Sequence, residues 1–263
     1  MNARTRAAVM SGLMMLAWTA HAAPQAATQT ATQAKPEDTE VWKPEPRRVT
    51  PALPTRAPSD AIVLFDGKGL GEWVSAAAPD KPAAWTVADG AFSVRAGSGD
   101  IETRRAFLDY QLHLEWRAPS TLRGRGQERG NSGVFLASTG MGTGYEIQVL
   151  DCAEHTSTYA NGQAASLYKQ HIPLVNACAA PGEWQAYDII WTAPRFKADG
   201  SLQSPAYVTA LHNGVLVQHH VALRGETMYI GLPSYRKHGP APIRLQDHGD
   251  PVSFRNIWVR PLN

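Results

Sequence analysis

The stretch that most constrains this chain is residues 129–151, RGNSGVFLASTGMGTGYEIQVLD. It reads as two short strands, Ser132–Ala137 and Tyr145–Leu150, joined by TGMGTG. Gly140, Gly142 and Gly144 suit a chain that must reverse direction. Side chains of a strand alternate between faces, so Tyr145, Ile147 and Val149 share one side and Glu146 and Gln148 the other. The simplest expectation is a half-buried strand with its polar face in water. The alternative is a ligand site, because an Arg and an Asn bracket the hairpin at one end and an Asp at the other.

The same two-residue period recurs along the chain. DYQLHLEWRAP places Leu112, Leu114 and Trp116 on one side and Gln111, His113, Glu115 and Arg117 on the other. WTVADGAFSVRA and AYVTALHNGVLVQHHVAL carry tight-turn signals at Ala88-Asp89-Gly90 and Asn213-Gly214. AIVLF, WQAYDIIWTAP and PIRLQDHGDPVSFRNIWVRPL supply further strands. After the first residues no long segment keeps a helical period, and no fixed-period repeat argues for a propeller. Strands separated by Gly/Pro turns predict an all-β protein, a β-sandwich of the jelly-roll kind.

The N-terminus carries Arg4 and Arg6, an apolar run from Ala7 to Ala20, and Ala20-His21-Ala22. This is the pattern of a secretory signal peptide over residues 1–22. The run is shorter than the ~20 apolar residues of a membrane span. Export to the periplasm or beyond is therefore expected. Residues 23–59 hold seven of the 19 prolines among Ala, Thr and Gln, a mixture expected to form a flexible spacer. One folded domain is expected over residues 60–263. The chain has 25 basic and 23 acidic residues. Removal of Arg4 and Arg6 with the signal peptide balances them, which argues against nucleic acid as a partner. Cys152 and Cys178 are the two cysteines, and in an exported chain they are expected to form a disulfide.

Three strands present clustered polar groups: His113/Glu115/Arg117, Glu146/Gln148 and Arg244/Gln246/His248. Each alone reads as ordinary solvent exposure. Together with Arg129, Asn131, Tyr168 and Lys169 they outline a groove of the kind in which sandwich folds hold sugars.

LFDGKGLGEW, RGNSGVFLAS, GYEIQVLD, PGEWQAYDIIW, HNGVLV and LQDHGDPVSFRNIWVRPL occur in that order. Over residues 60–263 the chain thereby resembles the 3-keto-disaccharide hydrolase family. The resemblance implies a concanavalin-like jelly roll acting on sugars oxidised at carbon 3, as a hydrolase or as a lyase and hydratase. It also implies a sugar 3-dehydrogenase as a pathway partner, since carbon 3 must first be oxidised. That chemistry requires a general base for the acidified proton on carbon 2, an acid for the departing oxygen, and donors for the enolate. Glu146 and His113 are the candidates for base and acid, in either order. Arg129, Asn131 and Lys169 are candidates to stabilise the enolate, and Gln148, Tyr168, Gln246 and His248 to bind substrate. Asp151 either orients His155 or a substrate hydroxyl, or caps a turn.

Two other classes compete. Glu146, Gln148 and Asp151 echo the Glu-x-Asp-x-x-Glu spacing of jelly-roll retaining glycosidases, which need two facing carboxylates. A Gln in the middle weakens that reading. The same fold also serves non-catalytic sugar-binding modules. No cofactor is expected. Asp247, His248 and Asp250 offer ligands for a divalent metal, but backbone capping in a turn is the favoured role for the two Asp. His219-His220 point to opposite faces of a strand and chelate poorly.

Overall fold

The computed structural model describes residues 34–54, 56–122, 124–140, 142–153 and 157–262. The expected signal peptide, the first part of the expected spacer and His155 lie outside the described residues. Chain contacts divide the protein between Arg47 and Arg48. In the first unit the described residues form a single 3-10 turn, Pro36–Thr39. The second unit begins at Arg48, where the Ser59 N–H donates to the Thr50 carbonyl at 3.1 Å.

The strands in chain order are β1 (Ile62–Phe65), β2 (Trp73–Ser75), β3 (Ala78–Pro82), β4 (Thr86–Ala88), β5 (Ala91–Ser93), β6 (Ile101–Thr103), β7 (Tyr110–Arg117) and β8 (Ser132–Gly140). They continue as β9 (Thr143–Val149), β10 (Gln185–Thr192), β11 (Arg195–Phe196), β12 (Leu202–Ser204), β13 (Tyr207–His212), β14 (Val215–Ala222), β15 (Arg244–Leu245) and β16 (Ser253–Pro261). One antiparallel sheet runs β14-β13-β10-β7-β16-β5-β4, with β1 also on β16. The other runs β3-β2-β6-β15-β8-β9. β11 and β12 form a small ribbon. The architecture is the expected jelly-roll β-sandwich, and no α-helix occurs among the described residues. No helix among them could cross a membrane.

The alternation read in the sequence decides what fills the sandwich. On β7, Leu112, Leu114 and Trp116 are buried while His113 and Glu115 are half-buried on the opposite face. β9 sends Tyr145, Ile147 and Val149 into the same core. The Tyr145 and Trp191 rings meet at 5.2 Å, and the Tyr187 hydroxyl donates across the sheets to the Gln148 carbonyl at 2.7 Å. Burying side chains of this size contributes ~1.5–3 kcal/mol each. The two tight turns fall where the sequence puts them. Asp89 and Gly90 (φ 51° and 73°) link β4 to β5, and Asn213 and Gly214 (φ 52° and 77°) link β13 to β14, the left-handed pair that matches strand twist.

Candidate active site

β8 and β9 pair in register, with Gly133 opposite Gln148 and Phe135 opposite Glu146. Since Ile147 and Val149 occupy the core, Glu146 and Gln148 must point out of the sandwich. They nevertheless reach only 5% and 1% exposure, so the half-exposed strand expected from alternation is not what forms. Two loops cover them. In the first, the Tyr168 N–H donates to the Glu146 carbonyl, and the Ala165 N–H to that of Gln148. In the second, the Thr227 N–H donates to the Gly144 carbonyl, and the Thr227 hydroxyl accepts from the Glu146 N–H. The loops leave a cavity of about 400 Å³ over the strand, within the usual size for small-molecule sites.

Asn131, Glu146, Gln148, Tyr168, Lys169, Gln246 and His248 all line this cavity, so seven of the ten residues expected from the sequence converge. Lys169 holds a left-handed backbone (φ 59°), a costly conformation for a side-chain-bearing residue that clusters at functional sites. Its Nζ donates to the Tyr229 carbonyl at 2.6 Å and sits 4.3 Å from that ring's centroid. The Tyr159 and Tyr168 hydroxyls are hydrogen-bonded to each other. Burial pushes both phenols above their ordinary range, so they remain protonated donors at physiological pH.

Glu146 is the group the site is built around. Burial pushes its carboxyl up to about 8; the Arg244 cation lowers it and Asp100 raises it further. Turned so that its nitrogen faces this carboxylate, the Gln148 amide donates to Glu146 Oε1 and to the Ser132 carbonyl, each at 3.1 Å. Gly133 makes room for the acid: a Cβ there would stand 2.5 Å from Glu146 Oε1. We therefore expect Gly133→Ala to displace the carboxylate more than it disturbs the fold. An ångström of misplacement can cost ~10²-fold in rate, so kcat on the substrate should fall at least tenfold with a nearly unchanged unfolding temperature. Unaltered kcat would show that the close approach is irrelevant.

Three expected residues are elsewhere. His113 alternates with core residues of β7, so it lies on the outer face of the eight-stranded sheet, with the whole core between it and Glu146. There its Nδ1 is 2.7 Å from Asp188 Oδ1 and its ring stacks on Trp258. The two cannot serve as an acid–base pair. Arg129 spends Nε and Nη2 on Asp151 Oδ2, at 3.0 and 2.7 Å, and neither residue lines the cavity. Glu146 and Asp151 are thus not the facing carboxylates of a retaining glycosidase. Asp247 accepts the N–H groups of Gly99 and Gly249, and Asp250 that of Asn131, which is the capping role.

Residues 60–260 match the model of the 3-keto-α-glucoside-1,2-lyase-like domain. The chain belongs to this family. It is 25% identical to a 3-keto-disaccharide hydrolase of Bacteroides thetaiotaomicron over 247 residues, covering 77% of this chain and 78% of that one. A crystal structure from Parabacteroides distasonis, described as a candidate glycosyl hydrolase, is 50% identical with a TM-score of 0.80, covering 87% of this chain and 97% of that one. A second from the same organism, 20% identical with a TM-score of 0.55 over 78% and 94% of the two chains, shares the fold.

In this member of the lyase-like family, several cavity residues carry no sequence signal. Phe135 lies between the core residues Val134 and Leu136 of β8 in an unbroken apolar run, so alternation does not mark it as polar-facing. Gln127 lies in the 3-10 turn Gly126–Glu128 and Tyr229 on a loop. Tyr159 and Thr227 also line the cavity, from the segments that cover β9. Cys152 and Cys178 are joined, with Cα atoms 6.0 Å apart. The chain they close carries Tyr159, Tyr168 and Lys169.

Proposed function

We propose that this protein cleaves glycosides bearing a ketone at carbon 3 by elimination followed by hydration, with Glu146 as the proton carrier. The observation that carries the reading is the buried Glu146 carboxyl, raised to about 8 and facing a cavity that polar side chains line. The family match and the name of the Bacteroides relative support the substrate class. The ketone acidifies the carbon 2 proton, and a base with a pKa near the working pH removes it most effectively. Lys169 and the Tyr159–Tyr168 hydroxyl pair supply a cation and donors for the enolate oxygen. Collapse of the enolate breaks the bond from carbon 1 to the leaving oxygen. With His113 on the other face, protonated Glu146 itself returns the proton to that oxygen. The product is an enone with a double bond between carbons 1 and 2. In the second half Glu146 takes a proton from water as the hydroxyl adds to carbon 1, then delivers it to carbon 2. The net change is hydrolysis.

The protein acts after export, once a sugar 3-dehydrogenase has made the ketone. Incubation with 3-keto-trehalose, 3-keto-sucrose and a 3-keto-β-glucoside, following release of the second half, tests the reading. Cleavage of the unoxidised sugars, or binding without turnover, would replace it with an ordinary glycosidase or a sugar-binding module.

The raised carboxyl makes pH informative in two opposite ways. As a base, Glu146 must lose its proton, so kcat/KM should climb as pH rises to about 8 and level off above it. In stability the sign reverses. The folded state holds a proton that the unfolded state releases near the ordinary glutamate value of 4.5, so this group's contribution falls as pH rises from there to about 8. A rate profile without an inflection near 8 would remove Glu146 from the base role.

A further inference from the structure

Arg244 of β15 stands directly opposite Phe135 of β8 on one side and Glu102 of β6 on the other. Phe135 in turn stands opposite Glu146. Opposed residues share a face of the sheet, so Glu146, Phe135, Arg244 and Glu102 form one row. The Arg244 guanidinium lies 3.8 Å from the Phe135 ring centroid, and the residue is 1% exposed. Its bonding is incomplete. Nη1 donates to the Gly140 carbonyl at 3.2 Å. Nε comes within 3.5 Å of Asp100 Oδ2, yet among the described residues neither Nε nor Nη2 has a hydrogen-bond partner.

Buried N–H groups without partners are expensive, and more so on a cation. The face of Phe135 recovers part of that cost. A guanidinium whose purpose was to staple the sheet would close a bidentate pair with Asp100 or Glu102. This one is left short of either, so its charge is less neutralised and its field extends to Glu146 through a poorly polarisable interior.

We propose that Arg244 is a positioning residue, whose buried and under-bonded cation behind the Phe135 wall governs how readily Glu146 releases and recovers its proton. The inference deepens the reading of Glu146 as the proton carrier and rests on it for its catalytic meaning. The other charged or titratable groups around Glu146 are Glu128 and His248 on the cavity wall, Tyr159, Tyr168, Lys169 and Tyr229 on the covering loops, and Asp100 and Glu102 beside Arg244. Arg244 opposes the upward push that burial and Asp100 give.

The test is a carbon-13 NMR titration of the Glu146 carboxyl in the full chain, assigned with Glu146→Gln. Wild type is compared with Arg244→Met, Arg244→Lys and Asp100→Asn. Two strand spacings, from β9 across β8 to β15, put Glu146 and Arg244 ~10 Å apart along the row. At an effective dielectric of ~20, loss of the cation should raise the Glu146 midpoint by about one pH unit. Arg244→Lys should fall between Arg244→Met and wild type, and Asp100→Asn should lower the midpoint. The kcat/KM profile on a 3-keto-glycoside should move in the same directions. An unchanged midpoint in Arg244→Met, or an upward one in Asp100→Asn, overturns the proposal. If Arg244→Met does not fold, the other two variants still decide. If wild type turns over no 3-keto-glycoside, the functional reading fails while the NMR midpoints still judge the coupling.

Discussion

Glu146→Gln is expected to lower turnover of a 3-keto-glycoside by ~10²–10⁴-fold with little change in binding. Gln keeps the shape and hydrogen-bonding reach of the side chain but cannot carry the proton, and general acid–base catalysis is worth roughly that factor. Stability should move the other way. Above pH 8 the wild type holds a buried carboxylate that burial disfavours, so the variant should unfold at a higher temperature than wild type there, with the advantage shrinking as pH falls. In heavy water, hydration by the same group places deuterium on carbon 2 of the released 3-keto-glucose. Retention of the original hydrogen at carbon 2, with Glu146→Gln as active as wild type, would defeat both the mechanism and the choice of residue.

The second large effect concerns stability. Cys152 and Cys178 are 26 residues apart in sequence, and closing a loop of that size contributes ~3–4 kcal/mol in the chain-entropy account. For a domain of about 200 residues this is ~8–15 °C in unfolding temperature. Reduction, or the double change to Ser, should lower the Tm by that order. The loop also positions Tyr159, Tyr168 and Lys169, so KM should rise in the same variant. The Asn176 side chain adds a local tie, donating to the Cys152 carbonyl and accepting from the Cys178 N–H at 2.8 and 2.9 Å. An unchanged Tm after both thiols are shown by titration to be free would remove the disulfide as a stabilising element.

Period-two alternation determined the sandwich. Leu112, Leu114 and Trp116 on β7 and Tyr145, Ile147 and Val149 on β9 need only a pleated backbone to reach one core. Asp89-Gly90 and Asn213-Gly214 likewise set their hairpins locally, because few residues accept a left-handed backbone. The sequence also singled out Glu146 and Gln148 as a polar pair on one strand face, with Gln246 and His248 on another strand.

What it could not hold was which polar face is roofed. His113 and Glu146 alternate with core residues in the same way, so the pattern alone makes them equivalent. Only the assignment of β7 and β9 to different sheets puts the whole core between them. Burial of Glu146 depends on loops some 20 and 80 residues further along, through the Tyr168 N–H and the Thr227 hydroxyl. Arg129 and Asp151, expected to meet substrate, meet each other instead. A residue's own neighbours in sequence fix the direction in which its side chain leaves the strand. The dielectric around it, and therefore its proton affinity, is fixed by distant segments that only the folded chain brings over it.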